Sequence, residues 1–106
     1  MKITVVHVQG EPSPTKTALV KTPNALGPDP LNHLEHAFRW TQNTEGSWSM
    51  KIGVDANDNV TNLAPLYVDE DGKEWGHRST MVGDLMLVDG QVWAVDGTGF
   101  TCLENK

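Results

Sequence analysis

The stretch that decides the fold is Leu85-Met-Leu-Val-Asp-Gly-Gln-Val-Trp-Ala-Val95, close to the end of the 106-residue chain. Two apolar runs flank the dipeptide Asp89-Gly90, which is a preferred sequence for the two-residue type I′ turn of a β-hairpin. That turn places Val88 opposite Gln91 and thereby determines the register of all the other cross-strand pairs in the hairpin. The stretch therefore predicts a C-terminal β-hairpin of defined register.

Both faces of this predicted hairpin are apolar. The face that we expect to be core carries Leu85, Leu87, Val92 and Ala94, and the other face carries Met86, Val88, Trp93 and Val95. Antiparallel sheets with one solvated face normally alternate apolar and polar residues. Since a single helix covers only one face, the second face must meet the N-terminal region, another subunit or a partner. Met86 and Trp93 are therefore candidate interface residues, a homodimer is one alternative, and burial of both within a monomer would exclude this hypothesis.

One amphipathic helix is predicted at about residues 29–43. Asp29 is a good N-cap and Pro30 suits the first helical position. The apolar stripe that we expect to face the core consists of Leu31, Leu34, Phe38 and Thr41. His33, His36 and Trp40 then lie on the opposite side, within about 60° of one another. Because Trp is enriched among interface hot spots, this side is either covered by a loop or is a second candidate binding surface.

The other elements are shorter. Strands are predicted at Ile3–Val8 and Thr17–Lys21, in the alternating segment Trp48–Val54, and at Phe100–Leu103, whereas Val60–Val68 is ambiguous. Pro and Gly dominate the loop between the first strand and the helix. Together these elements predict an α+β fold, in which one antiparallel sheet of four to six strands carries the helix within a single domain of residues 1–106.

Composition and charge exclude several classes of function. The chain has 8 Lys and Arg against 14 Asp and Glu, for a net charge of -6, and its second half carries most of the excess acid. Direct nucleic-acid binding is disfavoured, because that affinity comes mainly from Lys and Arg on phosphates. No apolar run is long enough for a transmembrane helix. Cys102 is the only cysteine, which excludes an internal disulfide and suits a reducing cytoplasm.

None of the motifs commits the chain to catalysis, a metal or a cofactor. His33 and His36 have a spacing that could share a metal with His77 as a third ligand, but nothing in the sequence brings His77 close to them. The segment Asp55–Asn59 resembles the start of a calcium loop, but the required Gly and Glu are missing at the sixth and twelfth positions. The acidic cluster Asp69–Glu74 is more typical of a solvated turn than of a catalytic carboxylate pair, and it could meet a basic partner.

The C-terminal third of the chain carries a recognisable signature. Its core is Arg78-Ser79-Thr80, Val82-Gly83-Asp84, the turn Asp89-Gly90 and the closing Gly99-Phe100. With the helical segment around Phe38-Arg-Trp-Thr41, it resembles small uncharacterised proteins of actinobacteria, their plasmids and their phages. The resemblance implies an accessory protein, phage-borne and acting in the host cytoplasm, and it implies no catalytic residue.

The leading hypothesis is therefore a small cytoplasmic accessory protein of phage type that binds a host protein and performs no chemistry of its own. The first alternative is an acidic decoy that occupies a nucleic-acid-binding host protein. The second is a small metal-dependent enzyme that uses the His and carboxylate clusters. A virion component is a further alternative that the sequence leaves open.

Overall fold

A computed structural model describes residues 1–44, 46–53 and 57–105, the last two of them by their backbone alone. One α-helix, one short 3₁₀ helix and eight strands are present in these ranges. They are β1 (Lys2–His7), β2 (Thr15–Lys21), the 3₁₀ helix (Asn24–Leu26), α1 (Pro30–Trp40), β3 (Val60–Asn62), β4 (Tyr67–Val68), β5 (Glu74–Trp75), β6 (Leu85–Val88), β7 (Gln91–Asp96) and β8 (Gly99–Asn105).

Six of these strands form one antiparallel sheet in the order β3-β2-β1-β6-β7-β8. The central pair, β1 and β6, joins the N-terminal hairpin to the C-terminal meander. Strands β4 and β5 form a separate two-stranded sheet. The predicted α+β fold, with one helix on an antiparallel sheet, is confirmed at the upper end of the expected strand number.

The predicted C-terminal hairpin is confirmed pair by pair. Val88 pairs with Gln91, and the register continues to Leu85 opposite Ala94. Asp89 has a φ of 48° and Gly90 a φ of 77°. A type I′ turn requires left-handed backbone at both central positions, and Asp and Gly tolerate it better than most residues.

The assignment of the two hairpin faces is wrong. Met86 is 0% exposed and Val88 2%, and both belong to the core with the α1 residues Leu34 and Ala37. Leu85, Leu87, Val92 and Ala94, expected in the core, are half-buried and lie outside that cluster. We call the side of the sheet that carries Met86 the inner face and the opposite side the outer face.

The physical reason for this error is that both faces are aliphatic, so alternation alone carries no direction. The cross-strand neighbour decides it, because Met86 pairs with Val5 and Val5 is fully buried beneath the helix. Met86 is therefore a core residue, which corrects its assignment as an interface residue. Trp93 is half-buried and packs against the core.

Helix α1 begins as predicted and ends earlier. The Asp29 carboxylate accepts the Leu31 N–H at 3.0 Å, and Pro30 occupies the first turn. The helix ends at Trp40, and the Thr41 N–H bonds back to the carbonyls of Arg39 and Phe38.

The buried face of α1 consists of His33, Leu34 and Ala37, whereas Leu31 is 41% exposed. At 100° per residue, the helix is thus rotated by about 60° from the predicted orientation. His33 lies inside, because Thr22 meets its Nδ1 and the Gly27 carbonyl lies 2.6 Å from its Nε2. These partners come from the preceding loop and remove the cost of burying the ring. This corrects the placement of His33 on the helix surface.

Replacing Asp29 by Ala is expected to lower the free energy of unfolding by about 1 kcal/mol, the usual cost of losing an N-cap side chain. The expected change is measured by urea denaturation at pH 7. Asp29→Asn provides the control, since Asn is an equally good N-cap and should preserve most of the stability. Equal losses in the two variants would contradict the capping role.

The predicted strand Trp48–Val54 is absent over its described part. Residues 48–51 form turns, and only one isolated bridge joins Ser47 to Ile52. Val54 lies outside the described residues. Trp48 is completely buried, with the His77 ring stacked on it at 5.7 Å and the His7 ring edge-on at 6.3 Å. The alternation of apolar and polar residues in this segment therefore does not reflect a strand. Trp48 is a core side chain that projects from an irregular segment.

Candidate interaction site

The most exposed aromatic surface of the described chain is the small sheet β4–β5. We call Tyr67–Trp75 the aromatic arm. Tyr67 and Trp75 are directly paired across its two strands. Tyr67 is 66% exposed, Val68 53% and Trp75 50%. Large apolar side chains clustered at the surface in this way are typical of interaction sites.

The turn of the arm is organised by Asp69. One carboxylate oxygen accepts the backbone N–H groups of Asp71 and Lys73 at 2.9 and 3.0 Å. The Gly72 N–H bonds to the Asp69 carbonyl at 3.0 Å. The turn is therefore rigid enough to support a sheet of only two residues per strand, which would be marginal without such support.

The same aspartate fixes the Trp75 side chain. Its second carboxylate oxygen accepts the indole N–H at 2.9 Å, and the Lys73 ammonium lies 4.4 Å from the indole ring centroid. The indole hydrogen bond is the main reason that the pKa of Asp69 lies below its ordinary value, and the Lys73 N–H lowers it further. Trp75 is thus held in one orientation while half of its surface stays exposed.

The root of the arm is anchored to the core. A Cβ atom on Gly76 would lie 2.4 Å from the Ser47 hydroxyl, so a larger residue would have to displace this hydroxyl from its hydrogen bond with the Met50 N–H. The His77 N–H donates to the Ser49 hydroxyl at 2.6 Å, and the His77 ring lies on buried Trp48.

A groove of about 560 Å³ runs beside the arm. One wall is the segment Ala64–Val68, and the other is the end of the β1–β2 hairpin with Glu11, Thr15 and Thr17. His77 lies in this groove with its Nε2 3.0 Å from the Ala64 carbonyl. The groove extends the apolar surface of the arm and adds hydroxyl and carboxylate groups along one side.

The candidate residues on helix α1 are separated by the structure. His36 and Trp40 are both half-buried and meet edge-on, with ring centroids 5.4 Å apart. Trp40 packs against the core, and the His36 Nδ1 lies 3.2 Å from the Asn32 carbonyl. His33 is buried away from this pair, so the expected surface of three residues is reduced to His36 and Trp40.

The residues considered for metal binding lie in separate environments. In the part of the chain that the structure describes, no three His, Cys, Asp or Glu side chains come together to hold a metal ion. His33 contacts the loop before α1, whereas His77 contacts Ala64 and Trp48. Asp55 and Ala56, at the start of the calcium-like segment, lie outside the described residues.

The signature segment Arg78–Asp84 builds an ion pair inside the fold. Asp84 is 0% exposed. Its carboxylate accepts hydrogen bonds from both terminal nitrogens of Arg78, at 2.7 and 2.8 Å. It also accepts backbone N–H groups of Val8, Gln9 and Met81. Burial alone would raise the pKa of Asp84, but these donors together lower it to about 2. Every observed contact of this carboxylate holds chain segments together, which indicates a structural role.

A second groove, of about 610 Å³, lies between α1 and the β7–β8 turn. Its apolar wall is the edge-on pair Phe38 and Phe100, with ring centroids 6.3 Å apart. Glu35 and Arg39 stand at its rim with both signs of charge. The groove therefore favours neither an acidic nor a basic ligand.

Cys102 on β8 is exposed.

Tyr67 and Trp75 are the residues that sequence reasoning missed. Two-residue strands are too short to show a period, so periodicity predicts no strand directly after Gly72. The available signal was local, because β-forming aromatic residues stand on either side of a turn sequence rich in Asp and Gly. That turn was predicted correctly, but the hairpin around it was not.

No helix in residues 1–44, 46–53 or 57–105 is long and apolar enough to cross a membrane. Comparison with protein-family models, with curated proteins and with solved structures gives no match.

Proposed function

We propose that this chain is a small accessory protein of phage type that acts in the host cytoplasm by binding a host protein, without chemistry of its own, and that the aromatic arm is its contact surface. The observation that carries the proposal is the exposed and oriented Trp75, paired with Tyr67. Trp and Tyr supply a large contact area at low cost in side-chain entropy. The resemblance to accessory proteins of actinobacterial phages supports the cellular setting.

The charges of the arm indicate the chemistry of the partner. Around the aromatic pair stand the exposed acids Glu70, Asp71 and Glu74, in addition to Asp69 in the turn. A partner that fits this surface has an apolar pocket for the indole ring and a basic rim. Complementary charge would speed the encounter and exclude wrong partners more than it would tighten the complex.

Replacing Trp75 by Ala is expected to weaken partner binding by about 30-fold or more, which corresponds to about 2 kcal/mol. The unfolding midpoint should change little, because Trp75 is half-exposed and lies outside the core. Wild type and variant are each immobilised and exposed to nuclease-treated actinobacterial lysate. Retained proteins are quantified by mass spectrometry, and the affinity of the recovered partner is then measured by calorimetry.

Leu31→Ala serves as the matched control, since Leu31 is also a half-exposed apolar residue but lies on α1. Trp40→Ala tests the alternative surface on the helix. Loss of the partner in Trp75→Ala alone supports the arm as the contact surface. Loss in Trp40→Ala with full retention in Trp75→Ala, or no partner that any variant distinguishes, would contradict it.

Salt dependence separates the proposal from the acidic-decoy alternative. Binding dominated by an apolar pocket should change only moderately between about 50 and about 300 mM salt, whereas a phosphate mimic should lose most of its affinity over this range. Four of the described acids have structural contacts within the chain, which favours the first outcome. Asp84 is buried in an ion pair, and Asp29, Asp69 and Asp96 hold a helix end and two turns.

A further inference from the structure

The outer face of the main sheet is an apolar surface on the side opposite the helix. Strand register places six aliphatic residues there. They are Val6, Leu19, Leu85, Leu87, Val92 and Ala94, and Thr4 lies among them between Leu19 and Leu87. All except Val6 are half-buried, and none belongs to the core cluster that contains α1 and Trp48. A sheet face of this composition is typical of a protein–protein interface.

Charge on this face is divided between its two halves. Lys2, Lys16 and Lys21 project from β1 and β2, and all three are exposed. Asp89, in the β6–β7 turn, and Asp96, at the end of β7, lie on the other half. Hydrogen bonds from Thr101 and Thr98 lower the pKa of Asp96, so its carboxylate stays ionised at neutral pH. Basic and acidic groups therefore flank the aliphatic centre on opposite sides.

We propose that the outer face binds the outer face of a second copy of this chain, around a two-fold axis parallel to the strands. This axis superimposes β2 of one copy on β7 of the other, and β1 on β6. Leu19 then lies over Val92, and Val6 over Leu85. The lysine half of each copy meets the aspartate half of its partner.

Charge repulsion disfavours the other face-to-face arrangement. A two-fold axis across the strands would superimpose β2 on β2 and bring the lysines of both copies together, and juxtaposed like charges oppose association at an interface. The charge pattern is therefore self-complementary in only one of the two orientations. This is the argument for a second copy rather than an unrelated partner as the occupant.

The size of the face suits a dimer of moderate affinity. Six strands about 4.8 Å apart and about 20 Å long give a footprint of about 600 Å² per copy. Stable interfaces bury about 800 Å² per partner, so this footprint is near the lower limit. We expect dissociation constants in the micromolar range.

The first test is sedimentation velocity of the full chain from about 1 to 200 μM. Wild type should dimerise over this range, and Leu87→Lys, at the centre of the face, should raise the dissociation constant by more than 20-fold. Leu31→Lys is the matched control, because Leu31 is also partly exposed but lies on α1, on the opposite side of the sheet. It should dimerise like wild type, and circular dichroism confirms that both variants are folded.

The second test changes the charges that flank the face, so its result does not depend on whether Leu87→Lys folds. Lys16→Glu places an acid against the acidic half of the partner and should weaken the dimer by about 5-fold or more. Asp89→Asn keeps the turn, since Asn-Gly also favours type I′, and should weaken it by a smaller factor. A monomer at 200 μM, or a dimer that Leu87→Lys and Lys16→Glu both leave unchanged, would overturn the proposal. The arm lies outside this face, so Trp75→Ala should dimerise normally whether or not the arm binds a partner.

Discussion

Replacing Asp84 by Asn is expected to lower the free energy of unfolding at pH 7 by about 3–5 kcal/mol, the usual cost of breaking a buried ion pair from one side. This is a large fraction of the total stability of a domain of this size. Asn has the same shape, so the loss comes from chemistry rather than from a cavity. The amide nitrogen of the new Asn side chain would face N–H donors with which it cannot form hydrogen bonds, and the Arg78 guanidinium would lose its counter-charge.

The effect should be this large because Asp84 joins two parts of the chain that are far apart in sequence. Its carboxylate binds the end of β1 through the N–H groups of Val8 and Gln9, and it binds Arg78 and Met81 in the segment that leads into β6. Arg78 also donates to the Gln9 carbonyl at 2.7 Å. One substitution therefore loosens the end of β1 and the entry to β6.

Urea denaturation of Asp84→Asn and of Asp89→Asn at pH 7 measures the difference. Asp89 is an exposed turn residue, and its replacement by Asn should change stability by less than about 0.5 kcal/mol. A loss below about 1 kcal/mol in Asp84→Asn would show that the ion pair is dispensable. An unfolded variant would agree with the prediction, and Arg78→Lys, which keeps the charge but loses the bidentate contact, then supplies a milder measurement.

The hairpin of β6 and β7 was predictable because its information is local. The Asp89-Gly90 turn sets the register by itself, and the Asp29 cap likewise marks the helix start. The choice of inner face was not local, since it depends on Val5 lying beside Met86 across 81 positions of sequence. An aliphatic hairpin with two apolar faces contains no signal that distinguishes them.

The predicted orientation of helix α1 was wrong for a related reason. His33 is polar by composition, yet Thr22 and the Gly27 carbonyl satisfy its ring inside the protein. Such partners come from a loop whose path the sequence pattern does not reveal. The same holds for the aromatic arm, where Asp69 was recognised as a turn residue but its bond to the Trp75 indole was not foreseeable. Predictions from periodicity are thus weakest where a polar side chain acts through tertiary contacts.

The stability of the wild-type protein is expected to fall by about 3 kcal/mol between pH 7 and pH 4 because of His7, before Asp84 begins to titrate. Burial, with a smaller effect from the Arg78 charge, lowers the pKa of His7 from 6.5 to about 4. The unfolded chain therefore binds a proton at a higher pH than the folded chain does. The contribution is fully present above pH 6.5 and is lost as the pH falls to about 4, and 2.5 pKa units correspond to about 3 kcal/mol.

The surroundings of His7 explain why the neutral ring is favoured. The residue is 1% exposed, its Nε2 lies 3.1 Å from the Thr80 hydroxyl, and that hydroxyl contacts the Thr41 hydroxyl at 2.7 Å. The positive charge of Arg78 and the nearby His77 oppose protonation, whereas Asp84 favours it less strongly. A proton on His7 would therefore place a charge that Asp84 compensates only in part beside the buried ring of Trp48.

Urea denaturation of wild type, His7→Gln and His36→Gln at several pH values between 7 and 4 tests this assignment. His7→Gln should be less stable at pH 7 but should lose most of the pH slope, because its side chain does not titrate. His36→Gln, at a half-exposed histidine on the helix, should keep the wild-type slope. Asp84 contributes in a lower window, from pH 3.8 down to about 2, so the two groups are separable in one titration. A wild-type slope that survives in His7→Gln would assign the acid sensitivity to another group and contradict the prediction.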